Sequence, residues 1–166
     1  MKKILVMSAA FILAMGFSVS AQKQNPKFYS LENNQYSLPF SKIVIEDDID
    51  VVLHESTDKS ILVEGSEENI SNVEWKIKKG IMHVSSKAGS LKDKVLVTLD
   101  VKDLKQIEVN GNSEVKSLGN LHSSLLHIYL NGYCLVNILN EGKITLVNGD
   151  GIGLDIKKKT ANVALL

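Results

Sequence analysis

Val109-Asn110-Gly111, Leu130-Asn131-Gly132 and Val147-Asn148-Gly149 repeat one local pattern three times. Apolar residues alternate ahead of each pair: Ile107 and Val109, Ile128 and Leu130, then Thr145 and Val147. Five residues past each Asn come Val115, Val136 and Gly153, so the third copy decays. The Asn residues are 21 and 17 positions apart, which suits one coil of a solenoid and is too short for a helix-pair repeat. Each copy reads as a strand, a tight Asn-Gly corner and a second short strand. A corner residue at positive φ favours Gly or Asn, and stacked Asn side chains hydrogen-bond along a stack. The same shape also fits a type I′ hairpin in an antiparallel meander. Both arrangements stay open on the residues alone, with the solenoid favoured because alignable strands flank all three pairs. The third copy holds a conflict: aligning its Asn-Gly points Val147 inward, yet Ile144 and Leu146 make an equally good apolar face. A one-residue slip exchanges the two faces of a strand, so either this copy is packed on both sides or its corner is displaced.

β-signals extend upstream. Ile43 and Ile45 alternate with polar neighbours, and Val51 and Leu53 continue beyond the acidic turn Glu46-Asp47-Asp48. Residues 60–64 form a short apolar run ended by Gly65. Val73, Trp75 and Ile77 share a face, and Lys79-Gly80 turns the chain into Ile81-Met82-His83-Val84, the clearest hairpin. Residues 94–101 read as another strand, and Leu104 leads into the first repeat. Only residues 66–70 have the capped look of a helical turn, too short to stand alone. The expected fold class is all-β.

Lys2 and Lys3, the apolar run 4–17 and small residues up to Ala21 form the pattern of a cleaved secretory signal, residues 1–21. The run is too short to span a bilayer comfortably, and no later segment is apolar enough to do so. Residues 22–39 read as an irregular leader, and 40–166 as one domain. There is no Arg, so the 19 basic residues are all lysines against 19 acids. That balance argues against a nucleic-acid partner, which needs a concentrated basic face. Cys134 is the single cysteine, so no intrachain disulfide forms and stability rests on burial and backbone pairing.

Chemistry-bearing residues are sparse. His54, His83, His122 and His127 share no zinc-like spacing with Cys or carboxylates and read as surface or edge residues. Cys134, beside Leu135 and Val136, reads as a small packed hydrophobe. No Gly-x-Ser-x-Gly occurs, and Asp48 and Asp50 are not marked for glycoside hydrolysis. Asp150 to Asp155 looks like one copy of a calcium-binding β-roll nonapeptide, a weak candidate because that roll shares each ion between successive copies. Trp75 reads as core, whereas Tyr129 and Tyr133 fall on the outward side and are candidates for a ligand surface. Catalytic residues, metal and cofactor are all expected to be absent.

Phe40-x-x-Ile43-x-Ile45, then Ile49-Asp50-Val51-Val52-Leu53, the 95–101 strand, Leu104-Lys105-Gln106-Ile107 and the repeats together resemble the putative auto-transporter adhesin, head GIN domain family. The resemblance covers roughly residues 40–156. Asn110-Gly111-Asn112-Ser113 matches the family's repeat well, and the other two pairs match in their first two positions. The resemblance implies a right-handed β-helix-like solenoid and a secreted or cell-envelope protein of Bacteroidetes-type bacteria, with no catalytic residue to carry across. The function expected is a secreted, non-enzymatic, adhesin-like binding or structural module. Alternatives are a carbohydrate-active β-helix enzyme and a partner-binding accessory of envelope signalling. Expected partners are a glycan or an envelope protein, in the periplasm, at the cell surface or outside the cell. The apolar C-terminal residues are expected to fold back over the end of the stack or to meet a second chain there in a homodimer.

Overall fold

Lys79 and Gly80 take φ of 51° and 75°, the pair of positive values that a type I′ turn needs to join two antiparallel strands. This hairpin is one part of a computed structural model that describes residues 39–148 together with the backbone of 27–30 and 163–165. In chain order the elements are β1 (Lys27–Ser30), β2 (Lys42–Glu46), β3 (Ile49–Glu55), β4 (Ser60–Glu64), α1 (Glu67–Asn72), β5 (Val73–Lys78) and β6 (Ile81–Ser86). There follow β7 (Val95–Val101), β8 (Gln106–Asn110), β9 (Glu114–Leu121), β10 (Leu125–Leu130), β11 (Leu135–Asn140), β12 (Lys143–Asn148) and β13 (Val163–Leu165). Helix is confined to α1 among the described residues. Ser66 caps it by accepting from the Asn69 amide, and Glu67 and Glu68 sit in its first turn, where acids are favoured by the unpaired amides.

The strands make two mixed sheets and no closed barrel. One sheet runs β1-β4-β7-β3-β9-β11 and the other β13-β12-β10-β8-β2-β6-β5. Pairing is parallel except for β1 with β4, β4 with β7 and β5 with β6, which lie toward one end of each sheet. The strands flanking an Asn-Gly pair fall in different sheets: β8 and β10 in the second, β9 and β11 in the first. Each pairs in parallel with its counterpart from the next repeat. The antiparallel hairpin reading is therefore excluded for Asn110-Gly111 and Asn131-Gly132.

Alternation supplies the core. Met82, Ile43, Ile107, Ile128 and Leu146 follow one another across the second sheet at one level. Val63, Val97, Val51, Val115 and Val136 do the same across the first. These residues belong to one apolar cluster shared by both sheets. Full burial of each such side chain is worth roughly 1.5–3 kcal/mol, and a row of them holds the register against slippage.

The conflict in the third copy is resolved by displacement. Ile144 lies opposite Leu126 and Leu146 opposite Ile128, which sets Asn148 level with Leu130. Asn131, by contrast, bonds through its amide to Val109 O and through its side chain to Asn110. Burying two large aliphatics outweighs stacking a third asparagine, so the strand slips by one and Val147 stays partly exposed. Gly149 lies outside the described residues.

The corners correct the sequence reading of their glycines. Among the described residues the glycines at positive φ are Gly80, Gly89 and Gly119, so Gly111 and Gly132 do not need that freedom. What they need is room. A Cβ on Gly111 would run into the carbonyl of Asp47, and one on Gly132 into the carbonyl of Gly111, coming 3.0 Å from its carbon. Asp47, Gly111 and Gly132 thus stack backbone on backbone from pass to pass. Two residues on, Ser113 Oγ donates to Asp47 O at 3.1 Å, and Cys134 Sγ donates to Gly111 O at 3.4 Å. One turn uses its hydroxyl and the next its thiol for the same bond.

One element lies within the stretch read as an irregular leader. Residues 27–30 form β1, antiparallel to β4, with Phe28 opposite Leu62. Four residues carry little periodicity of their own; the free edge of β4 is what makes them a strand.

Candidate binding cleft

At the end of the sheets opposite the Asn-Gly corners, three segments leave a cleft of about 610 Å³. Pro39, Phe40 and Ser41 enter it ahead of β2, and Ser56, Thr57 and Lys59 come from the β3–β4 turn. Lys102, Asp103 and Lys105 come from the connection between β7 and β8, with Gly80 and Asp100 completing the wall. Backbone bonds pin these segments together. Ser41 N donates to Gly80 O at 3.1 Å, Lys105 N to Ser41 O at 2.8 Å, and Ser56 N to Val101 O at 3.2 Å. Lys59 and Asp103 hold φ of 50° and 56°. For non-glycine residues that conformation costs on the order of 1 kcal/mol, and two such residues on one cleft mark a wall whose shape the surrounding structure maintains.

Asp100 forms the polar back of the cleft. Its carboxylate accepts from the Ser60 hydroxyl at 2.5 Å and the Ser60 amide at 3.0 Å, and lies 2.9 Å from His54 Nδ1. Burial pushes the Asp100 pKa upward, but the bonds from Ser60 and His54 outweigh it and hold the carboxyl below its ordinary range. Because Asp100 stands between serine and histidine, His54 has no bond to Ser60 through which to take its proton, and the trio is not a nucleophilic relay. It is a buried anchor that ties β3, β4 and β7 together.

The other histidines occupy separate places. His122 sits between two acids: its Nδ1 is 3.5 Å from Glu55 and its Nε2 3.2 Å from Glu141. His127 lies beside Tyr129 on the outer face of the second sheet, ring centroids 6.5 Å apart. His83 faces outward on β6, level with Val44. Among the described residues no three His, Cys, Asp or Glu side chains gather as a metal site.

Tyr129 is partly exposed, level with Glu108 and Val147. Tyr133 stands at the corner and is 76% exposed. The two tyrosines therefore belong to different elements, away from the cleft residues. Cys134 is buried, and that burial raises its pKa above the ordinary thiol range despite nearby backbone donors. The corner residues Asn110, Gly111, Asn131 and Gly132 act on the backbone stack. The calcium candidates Asp150 and Asp155 lie outside the described residues.

Sequence reasoning passed over Lys59, Lys102 and Lys105. Ser56-Thr57-Asp58-Lys59 and Lys102-Asp103-Leu104-Lys105 each read as an ordinary polar turn, and nothing local indicates that turns more than forty residues apart share a cleft.

No curated protein is a match in sequence. Among solved structures, a putative adhesin from Parabacteroides merdae aligns at 20% identity with a TM-score of 0.61, covering 87% of this chain and 57% of that one. A putative adhesin from Parabacteroides distasonis aligns at 19% identity and 0.65, covering 80% and 56%. A putative lipid binding protein from the same species aligns at 14% and 0.51, covering 79% and 60%. At such identities the likeness is one of fold, and this chain spans less than two thirds of each. Among the described residues no helix is long and apolar enough to cross a membrane. The family pattern for the putative auto-transporter adhesin, head GIN domain matches residues 39–160, and the chain belongs to that family.

Proposed function

We propose that this protein is an exported, non-enzymatic binding module of the cell envelope, adhesin-like, built on a short β-helix-like solenoid of right-handed hand. Residues 1–21 are its secretory signal, and the parallel passes β2–β3, β8–β9 and β10–β11 are its coils. The observation that carries the reading is membership, over residues 39–160, of a family described by adhesion. The physical support is a frame suited to display. Two sheets share one apolar core, and their end presents a walled cleft whose lining includes a few polar residues, the general form of a small-molecule site.

The test is direct. The full chain, expressed in a Bacteroidetes-type host, should be recovered from the envelope or medium beginning near Gln22. The purified protein should bind intact cells or a glycan array without shortening any polysaccharide. Retention in the cytoplasm with an intact N-terminus would remove the export reading. Depolymerisation of a polysaccharide, abolished by one substitution that leaves melting unchanged, would replace the binding module by an enzyme.

A further inference from the structure

We propose that the cleft binds an acidic saccharide through Lys59, Lys102 and Lys105, an assignment that rests on the binding-module reading and names its ligand class. Three lysines from two separate turns line one cleft of about 610 Å³, and their flexible stems let the ammonium ends reach a bound oxyanion. Among the described residues none of the three has an ion pair, whereas Lys42, Lys92 and Lys94 each lie within 3.0 Å of a carboxylate. The carboxylate at the back is no competitor for them, because both Asp100 oxygens are engaged by Ser60 and His54. Asp103 is the one other acid on the wall, so the lysines leave an excess of positive charge. An oxyanion brought into the cleft gains charge-assisted hydrogen bonds from them.

The rest of the lining favours a sugar as the body carrying that oxyanion. Ser41, Ser56 and Thr57 offer hydroxyls, and Phe40, packed on one side against the core, offers an apolar ring on the other. A pyranose presents hydroxyls at its rim and C–H groups on its face, and matches both. The volume lies within the range of about 300–1,000 Å³ typical of small-molecule pockets. The cleft is open to solvent, unlike the closed sleeve that encloses an acyl chain. Left-handed backbone at Lys59, Gly80 and Asp103 keeps the wall in place before a ligand arrives.

Calorimetric titration of the full chain tests the assignment. The probes are uronate, sulfated and sialylated oligosaccharides, their neutral counterparts, and phosphatidylglycerol vesicles. At least one acidic sugar should bind about ten-fold more tightly than its neutral counterpart, a difference of ~1.4 kcal/mol, and binding should weaken as salt rises. The double variant Lys102→Gln/Lys105→Gln should lose about ten-fold in affinity, again ~1.4 kcal/mol, with melting unchanged, while Lys76→Gln on β5 should bind like wild type. Equal binding of acidic and neutral sugars, wild-type affinity in the double variant, or binding to the vesicles alone would each overturn the assignment. Cell or glycan binding that survives the lysine substitutions would sink the cleft assignment and leave the module standing. No binding to any sugar, vesicle or cell would remove both.

Discussion

Gly111 and Asp100 show how much of this molecule turns on single backbone and side-chain contacts. A methyl group on Gly111 meets the Asp47 carbonyl, which Ser113 Oγ also holds in place, so it has little room to retreat. Gly111→Ala should therefore cost about 3 kcal/mol, the upper end of overpacking penalties. Gly119→Ala has the opposite circumstances, with φ of 89° and nothing within 4 Å of the added Cβ. Its cost should be nearer ~1 kcal/mol, the penalty of left-handed backbone alone. Denaturant melts of the two variants decide the matter: the reverse order would restore positive φ as the reason for the corner glycine. Asp100 governs acid stability. Its folded pKa is depressed below the ordinary value of 3.8, so its contribution is complete above that value and is lost as pH falls through the folded pKa. Asp100→Asn should lower stability at neutral pH by about 1–3 kcal/mol and flatten the loss of stability on acidification below 3.8. Urea melts across that range check it; an unchanged acid slope would show that the carboxylate is not an anchor.

At the scale of the element, the β5–β6 hairpin and the corners are built by different rules. The hairpin is local: Lys79 and Gly80 carry the positive φ pair themselves, and Val73, Trp75 and Ile77 alternate toward the core side opposite Ser86, Val84 and Met82. Lys79→Asn should stabilise the protein by a few tenths of a kcal/mol, because Asn tolerates left-handed backbone better than Lys. A lower melting temperature would mean that the Lys79 side chain makes a contact outweighing its strain. The Asn-Gly corners work the other way, through neighbours in space. Asn110 and Asn131 share a rung 2.8 Å long, and Ser113 and Cys134 repeat one bond to the pass before. Their dipeptides look like the best hairpin turns in the chain, and that local likeness is what leaves the meander open in the sequence.

For the whole molecule, the arrangement that matters is the way the chain returns on itself. Across the two sheets the strand pairs lie in the order β6 and β7, β2 and β3, β8 and β9, then β10 and β11, so the second pair along the sequence is set outside the first. Antiparallel β1, β4 and β5 lie at that end, and β13 pairs in parallel with β12 at the other, Val163 opposite Ile144 and Leu165 opposite Leu146. Truncation after Lys159 removes β13 and bares the β12 edge. Open edges beside buried aliphatics recruit other chains, so the truncated protein should sediment as aggregates where the full chain stays monodisperse. Two equally stable, monodisperse species would show that β13 has no covering role.

Alternation of Ile, Val and Leu, and the residues punctuating it, determined by themselves the strand content, the β5–β6 hairpin, the Ser66-capped turn and the family. Each depends on interactions within a few residues, and these are written contiguously in the chain. Which strand lies beside which was decided in three dimensions. Ile144 and Leu146 prevailed over the third Asn-Gly because an apolar core weighs more than an asparagine rung, and Gly111 is a glycine because Asp47 passes against it. The cleft was beyond local reading for the same reason: Lys59 and Lys102 come to line one cleft only when parallel pairing of β3 with β7 carries two ordinary turns to the same end of the sheets.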